Sequence, residues 1–183
     1  ELNFASALRS ILRQDPDIIM IGEIRDRETA AIAVQASITG HLVVSTLHTN
    51  NAVGTLNRMA DMGVERYLIA DSVVGVIAQR LVRKLCSHEE KRVLRMNTQE
   101  EVNVYEPCGC DFCSHTGYYG RIGVFEIMEV NDEIRDLIAE NGTTEELERA
   151  ARNSGMRTLR DNGISYVLNG TTSVEEMLKA SYE

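Results

Sequence analysis

A short apolar run that ends in glycine and glutamate constrains this fold more than any other stretch of the sequence. Residues 18–21 read IIMI, and Gly22 and Glu23 follow them directly. The run is too short for a helix core, and its β-branched side chains favour a buried strand. Ligands of open α/β sheets bind at the carboxyl ends of strands, so Glu23 would stand where it can reach a metal ion or a water. The alternative is an ordinary solvated acid that ends a strand.

Length and charge limit the classes of protein to consider. The 183 residues, 43% of them hydrophobic, are enough for a real core, and we expect one domain with a smaller appendage. Up to Leu85 nine basic residues balance nine acidic ones, so the net charge of −9 arises entirely beyond that point. This distribution argues against a nucleic-acid partner. No secretory signal or membrane-length apolar stretch is present, and the missing initial methionine indicates a piece of a longer protein.

A strand–helix–strand unit is predicted around the apolar run. Asp26 is a plausible N-cap for a helix that extends through Thr39 and stops at Gly40, and residues 41–46 form a second apolar strand. This order predicts a right-handed crossover between parallel strands, which end at the same edge of the sheet.

Polar residues follow the second strand, at the edge where Glu23 is expected. They are Ser45, Thr46, His48, Thr49 and Asn50. We therefore expect His48 to lie near Glu23, although a histidine in such a loop is more often a hydrogen-bonded structural residue. Asn50 is predicted to cap the next helix.

Four segments of the sequence together resemble one protein family. They read LRSILRQDPDIIMIGEIRD, TAAIAVQASITGHLVVSTLHTN, GVIAQRLVRKLC and CDFCSHTGYYGRIGVFEI. They are similar to the carboxyl part of the type II secretion and type IV pilus assembly ATPases, members of the secretion ATPase superfamily of hexameric P-loop motors. The resemblance implies an α/β fold with a partial RecA-like P-loop ATPase core (1–85), a small cysteine module of the zinc type (86–120), and a returning strand with a helical carboxyl-terminal extension (121–183).

The resemblance also implies roles for individual residues. Gly22 and Glu23 match the Walker B segment, with Glu23 as the catalytic glutamate, and His41 and His48 match the histidine box. The residues that the resemblance implies for nucleotide binding are therefore Gly22, Glu23, His41 and His48. With ATP and Mg²⁺, Glu23 would position a water or the outer ligands of magnesium, and His48 would sense or stabilise the γ-phosphate. Arg25 is assigned no catalytic role.

One large departure from the family concerns the phosphate-binding loop. No G-x-x-x-x-G-K-[ST] sequence occurs in the chain. We expect the segment to begin downstream of the Walker A helix, and we expect the chain alone to be a very poor ATPase.

The cysteines predict a structural zinc site. Residues 67–77 are predicted to form one or two helices that lead to a strand at 81–85, which pairs antiparallel with a strand at 122–128. This pairing brings Cys86 towards the C-x-x-C of Cys110 and Cys113. The assembly-type family has two such cysteine pairs, and here Glu89 stands where the cysteine partner of Cys86 is expected. Cys108 is the preferred replacement, His88 and His115 are the other choices, and four free thiols without metal are the alternative.

The remaining expectations concern the carboxyl end and the function. Thr143 with Glu146, and Ser173 with Glu176, have capping-box spacing and would open two helices. The Asn162–Gly163 pair marks either a turn or a loosened helix.

The resemblance implies a cytoplasmic ATPase, peripheral to the inner membrane, that acts as a homo-hexamer with an inner-membrane platform protein in pilus assembly or type II secretion. The cysteines Cys86, Cys110 and Cys113, together with Gly117 and Tyr118, favour these systems over pilus retraction motors. The alternative is a non-catalytic, zinc-stabilised module that contacts platform proteins.

Overall fold

The computed structural model describes residues 4–87, 92–97 and 101–182. The helices are α1 (Phe4–Leu12), α2 (Arg27–Ile38), α3 (Ala52–Asp61), α4 (Arg66–Ser72), α5 (Asp132–Ala139), α6 (Thr144–Asn153), α7 (Leu159–Leu168) and α8 (Val174–Tyr182). The strands are β1 (Ile18–Ile21), β2 (Leu42–Ser45), β3 (Gly75–Leu85), β4 (Arg92–Asn97), β5 (Glu101–Glu106) and β6 (Tyr118–Glu129).

The chain forms two compact units. Unit 1 comprises Glu1–Val76 and Met128–Met156, and unit 2 comprises Ile77–Ile127 and Arg157–Glu183. The three-part division at residues 85 and 120 stays a prediction from the sequence. Every helix in the described part of the chain is too short or too polar to cross a bilayer.

The predicted strand–helix–strand unit is confirmed in unit 1. Strands β1 and β2 are parallel, with Ile18 opposite Leu42 and Ile21 opposite Ser45. Helix α2 connects them, and its N-cap is Asp26, whose Oδ1 accepts a hydrogen bond of 2.8 Å from the Thr29 N–H. The local sequence thus determines where α2 begins, and both strands end at one edge of the sheet.

Strand β1 is buried on one face only. Ile19 and Ile21 are buried, whereas Ile18 and Met20 are 64% and 78% exposed. Parallel sheets are normally covered on both faces, but the described residues cover this sheet on a single face. The prediction of a fully buried strand is therefore wrong for Ile18 and Met20.

The start of α3 corrects a second prediction. Asn51 is the N-cap, and its side chain accepts a hydrogen bond of 2.8 Å from the Gly54 N–H. Asn50 lies one residue before the cap, so the sequence-based choice was shifted by one position. Beyond it, helices α3 to α6 pack together in unit 1 through fully buried side chains: Leu56, Ile69, Ile134 and Leu147.

Strands β3 and β6 form a sheet, as predicted. The Val130 N–H donates to the Val74 carbonyl and the Cys86 N–H donates to the Gly117 carbonyl, so the strands run in opposite directions. Strand β3 begins at Gly75, so Ile77 lies in a strand and its predicted helical state is wrong. The antiparallel hairpin of β4 and β5 was not predicted.

The predicted capping box at the start of α6 is confirmed. Thr143 Oγ1 accepts a hydrogen bond from the Glu146 N–H, and the Glu146 carboxylate accepts one of 2.8 Å from the Thr143 N–H. At α8, Ser173 Oγ accepts a hydrogen bond from the Glu176 N–H, whereas the Glu176 carboxylate contacts Arg83 Nη2 at 2.6 Å. The Glu176 carboxylate, which would complete a capping box at α8, thus forms a tertiary ion pair with Arg83.

The Asn162–Gly163 pair lies inside α7. This helix begins after Thr158, which forms a capping box with Asp161. Gly163 is buried, and a β-carbon there would collide with the Met177 side chain of α8. Glycine at this position lets the Met177 side chain of α8 pack close against α7, although the intrinsic helix propensity of glycine is poor.

Candidate functional site

Hydrogen bonds between the loops after β1 and β2 bring the predicted site residues together. Thr46 Oγ1 donates to the Gly22 carbonyl at 2.6 Å, and the Ile24 N–H donates to the Thr46 carbonyl at 3.1 Å. These bonds continue the pairing of the parallel strands past their ends. Glu23 and His48, which lie in the two loops, consequently share one edge of the sheet.

The Glu23 carboxylate is held by a different side chain at each oxygen. His48 Nε2 lies 2.8 Å from Oε1, and Arg25 Nη2 lies 2.7 Å from Oε2. The Glu23 side chain is 22% exposed, whereas the side chains of His48 and Arg25 are 85% and 76% exposed. A half-buried acid thus lies beneath two basic groups that are accessible from solvent.

The hydrogen bond from Arg25 lowers the pKa of Glu23 below its ordinary value. Burial opposes this shift, while the charges of Arg25 and His48 add to it. The carboxylate is therefore charged at neutral pH, and a charged carboxylate accepts hydrogen bonds only. It is suited to orient a water molecule by accepting a hydrogen bond from it.

Replacing Arg25 with glutamine is expected to raise the pKa of Glu23 towards its ordinary value, because the largest stabiliser of the charged form is lost. A folded-state pKa below the unfolded value means that this carboxylate stabilises the fold above the unfolded pKa and loses that contribution as the pH falls through the folded pKa. The measurement is the carboxyl carbon-13 shift of Glu23 through an acid titration. Arg149→Gln, at an exposed position on α6, is the control, and an unshifted Glu23 titration in Arg25→Gln would contradict the assignment.

Two other residues near the strands differ in their relation to this edge. His41 lies at the start of β2, the opposite end from Glu23, and its Nδ1 is 3.0 Å from the Ala36 carbonyl at the end of α2. The structure does not bring His41 to the Glu23–His48 pair, so its nucleotide role stays a prediction. Ser45 Oγ, at the end of β2, is buried and has no hydrogen-bond partner among the described residues.

Three cysteine thiols converge in unit 2. Cys86 Sγ lies 3.8 Å from Cys110 Sγ, which lies 3.7 Å from Cys113 Sγ, and all three residues are buried. Thiolates that bind zinc tetrahedrally at about 2.3 Å are about 3.8 Å apart. The spacing of the three sulfurs therefore fits a zinc ion.

Backbone N–H groups favour the thiolate form of Cys113. The N–H groups of Cys110 and Gly117 donate to Cys113 Sγ at 3.3 and 3.2 Å. The hydrogen bond from Cys110 is the largest cause that lowers the pKa of Cys113 to about 7, and that from Gly117 adds to it. A backbone hydrogen bond involving Cys113 also lowers the pKa of Cys110, but burial and thiol contacts outweigh it and raise that pKa.

Glycine is required at position 117 for this arrangement. Gly117 has a φ of +75°, and a β-carbon there would collide with Pro107. The left-handed backbone and the close approach together direct the Gly117 N–H towards Cys113 Sγ. The structural role of Gly117 was not predicted from the sequence.

Structural zinc normally has four ligands, and the cluster in the described residues supplies three of them. The only group of possible metal ligands found in the described ranges contains Cys86, Cys110 and Cys113. Cys108 is half-buried and outside that group, and the exposed His115 contacts Asp111 at 3.2 Å. His88 and Glu89 lie outside the described residues. The predicted ligand role of Cys108 stays a prediction.

The contact between Arg25 and Glu23 was not predicted, because the sequence suggested for Arg25 only a neighbouring contact or a place in a local phosphate site. Arg25 lies two positions after Glu23, and side chains two apart in extended backbone project to the same side. This spacing, together with opposite charge, is the signal that would have found it.

Comparisons with known proteins agree with this architecture. The sequence model of the family described as "Type II/IV secretion system protein" matches residues 1–179. The type II secretion system protein HxcR of Pseudomonas aeruginosa is 52% identical over 181 residues, which cover 99% of this chain and 37% of HxcR. The type IV pilus assembly ATPase PilB of Acinetobacter baylyi is 48% identical over 195 residues, which cover 100% of this chain and 34% of PilB.

A solved structure shows the fold. The crystal structure of the pilus retraction motor PilT with bound ADP aligns with a TM-score of 0.72 at 30% identity, over 99% of this chain and 44% of PilT. The predicted fold class is thereby confirmed, although the chain spans only about a third of the length of HxcR and PilB. The family match over nearly the whole length of the chain shows that it belongs to the type II/IV secretion system protein family.

Proposed function

We propose that this chain is part of a cytoplasmic ATPase that couples ATP hydrolysis to type IV pilus assembly or to extension of a type II secretion pseudopilus. The observation that carries the proposal is the contact of 2.8 Å between Glu23 Oε1 and His48 Nε2 at the carboxyl edge of the β1–β2 sheet. The similarity to HxcR, a type II secretion system protein, and to PilB, a type IV pilus assembly ATPase, supports the choice of systems.

The residues of this edge suit hydrolysis of a phosphoanhydride. The charged Glu23 carboxylate orients a water and accepts its proton as the water attacks. His48, with 85% of its side chain exposed, is accessible to a terminal phosphate and has Nε2 beside the same carboxylate. Bound ATP with Mg²⁺ would supply the transferable phosphoryl group and neutralise part of its charge.

The geometry around the pair leaves room for such a ligand. Apart from Gly22 and its two chain neighbours, no heavy atom of the described residues lies within 4 Å of the place a β-carbon would occupy at Gly22. The buried Ser45 hydroxyl at the same edge lacks a partner among the described residues, and buried polar groups are normally paired. A ligand or another segment of the protein would satisfy it.

Another part of the protein must hold the phosphates. A Walker A loop uses backbone N–H groups and a lysine for this purpose, and this sequence contains no such motif. We propose that the complete protein supplies it, works as a homo-hexamer without nucleic acid, and acts at the cytoplasmic face of the inner membrane with a platform protein.

The cysteine cluster favours a second role for unit 2. The three buried thiols would hold a structural Zn²⁺ ion that stabilises the loop between β5 and β6. On this proposal the unit is a zinc-stabilised module that contacts inner-membrane platform proteins, and it does so whether or not the chain hydrolyses ATP.

A phosphate-release assay on two proteins tests the main proposal. The complete protein is expected to hydrolyse ATP at a rate typical of enzymes, about 1 s⁻¹ or faster. The 183-residue chain alone is expected to release no phosphate above background, because it lacks the phosphate-binding loop. Absence of turnover in the folded complete protein, with Mg²⁺ present, would overturn the proposed activity.

A further inference from the structure

Helix α8 is held by residues that lie next to the cysteine cluster. The helix begins after Ser173, whose Oγ contacts the Tyr118 hydroxyl at 2.7 Å and accepts a hydrogen bond from the Glu176 N–H. The Glu176 carboxylate in turn accepts hydrogen bonds from the Arg83 N–H at 3.1 Å and from Arg83 Nη2 at 2.6 Å. Arg83 lies on β3 and Tyr118 lies on β6, so α8 bridges the two strands of one sheet.

The segment before α8 is bound to the same end of β3. Thr172 is fully buried, and its hydroxyl donates to the Arg83 carbonyl at 2.7 Å. The Leu85 N–H donates to the Thr171 carbonyl at 2.9 Å. Cys86, the next residue along the chain, belongs to the cysteine cluster. These contacts with β3 therefore lie one to three positions before a predicted metal ligand.

The cluster also holds the start of the strand that carries Tyr118. The Gly117 N–H donates to Cys113 Sγ at 3.2 Å, and the Gly117 carbonyl accepts from the Cys86 N–H at 2.9 Å. The second of these bonds lies just beyond the last residue of β3 and the first residue of β6. Because the ends of paired elements open most readily, a metal ion bound by Cys86, Cys110 and Cys113 would close the sheet at the end where α8 is attached.

We propose that metal binding at the cysteine cluster and docking of α8 are coupled, so that loss of the metal releases α8 from β3 and β6. The proposal rests on the zinc site of the proposed function, because it needs a metal ion there. It goes beyond that site in naming what the metal controls. The coupling is reciprocal, so whatever loosens α8 weakens zinc binding by the same factor.

Helix α8 depends on these contacts because it is short. It has nine residues, and isolated helices shorter than about 12–15 residues are marginal in water. Its tertiary contacts include the polar ones to Arg83 and Tyr118 and the packing of Met177 against Gly163. Glu176 is buried, and a buried carboxylate that loses its partner is costly. Separation of Arg83 from Glu176 should therefore favour release of the helix.

The first test is hydrogen exchange of the complete protein with and without zinc. Exchange of the α8 amides is expected to become roughly tenfold faster when a chelator removes zinc, within the usual range of coupling between two sites. Zinc added back should restore the protection, and helix α7 of the same unit should keep its protection throughout. Equal α8 exchange with and without zinc would overturn the proposal. Equal loss of protection in α7 would also overturn it, because zinc would then hold the whole unit.

The second test measures the zinc affinity of variants of the complete protein by competition with a chelator of known affinity. Glu176→Gln removes the charge that pairs with Arg83 and is expected to weaken zinc binding roughly fivefold to tenfold, at the lower end of coupling between sites. Tyr118→Phe loses only the hydroxyl that contacts Ser173 and should act in the same direction. Glu175→Gln is the matched control, because Glu175 is exposed on the same helix, and it should bind zinc like the wild type.

The outcomes separate this inference from the zinc site itself. If the wild type binds zinc but Glu176→Gln and Tyr118→Phe both bind it as tightly, the coupling fails and the zinc site stands. If the wild type binds no zinc, the zinc site of the proposed function fails. Hydrogen exchange of α7 in both variants verifies that unit 2 is folded.

Discussion

Glu23→Gln in the complete protein is expected to lower ATP turnover by about 10²–10⁴-fold, the usual contribution of a general base. Glutamine has nearly the same shape as glutamate but cannot accept a proton from the attacking water. It also removes the negative charge that pairs with His48 Nε2 at 2.8 Å and with Arg25 Nη2 at 2.7 Å. The loss should appear in kcat, while nucleotide affinity changes little.

The matched control for this prediction is Glu65→Gln. Glu65 is exposed and precedes α4, so the same change of chemistry there should leave kcat within about twofold of the wild type. Phosphate release and equilibrium binding of a labelled nucleotide give kcat and affinity separately. Wild-type kcat in Glu23→Gln would refute the assignment of Glu23 as the base.

Cys113→Ser is expected to abolish zinc binding and to destabilise unit 2. Cys113 Sγ accepts hydrogen bonds from two backbone N–H groups. They lower the pKa of Cys113 to about 7, and the hydrogen bond from Cys110 has the largest effect. Its lowered pKa favours binding to a metal as a thiolate. Structural zinc binds to zinc-finger peptides with a free energy of about 10–16 kcal/mol. Mutation of a residue that only hydrogen-bonds a ligand lowers metal affinity about 10–100-fold. Loss of a thiolate ligand itself should lower the affinity by more.

Elemental analysis of protein purified without chelator gives the zinc content, and chemical denaturation gives the free energy of unfolding. We expect about one zinc ion per wild-type chain and almost none in Cys113→Ser. Wild-type protein without zinc, or full zinc content in Cys113→Ser, would rule out the site.

The variant Cys108→Ser tests whether Cys108 is the fourth zinc ligand. The sequence-based prediction assigns Cys108 to the metal, whereas its thiol lies outside the group formed by Cys86, Cys110 and Cys113. Loss of zinc in Cys108→Ser would support Cys108 as the fourth ligand. Retention of zinc would exclude it, and His115→Ala then tests the next choice.

Local sequence signals predicted the elements around the site well. Asp26 caps α2 as expected, because an aspartate in extended backbone offers its side-chain oxygen to the third following N–H. The Thr143–Glu146 capping box formed for the same local reason. The strand–helix–strand order then required the two strands to end together, and so the proximity of Glu23 and His48 was predictable.

Errors arose where a local signal had competitors of similar strength. Asn50 and Asn51 are adjacent and both are good caps, and only the geometry of the loop selects Asn51. The sequence left a turn and a loosened helix both open for the Asn162–Gly163 pair, and the structure places the pair inside α7, where the Met177 side chain packs against Gly163. Glu176 has the spacing of a capping residue, yet its carboxylate pairs with Arg83 across 93 positions of the chain.

The sequence by itself determined the strand–helix–strand order of β1, α2 and β2, the acid and the imidazole at the strand ends, and the C-x-x-C pair, because these depend on local sequence signals. Only the tertiary structure decided that Arg25 shares the Glu23 carboxylate with His48, that the Cys108 thiol lies outside the group of Cys86, Cys110 and Cys113, and that one face of β1 is exposed. These features depend on side-chain distances of a few ångströms between loops, which no periodicity or spacing in a single chain specifies.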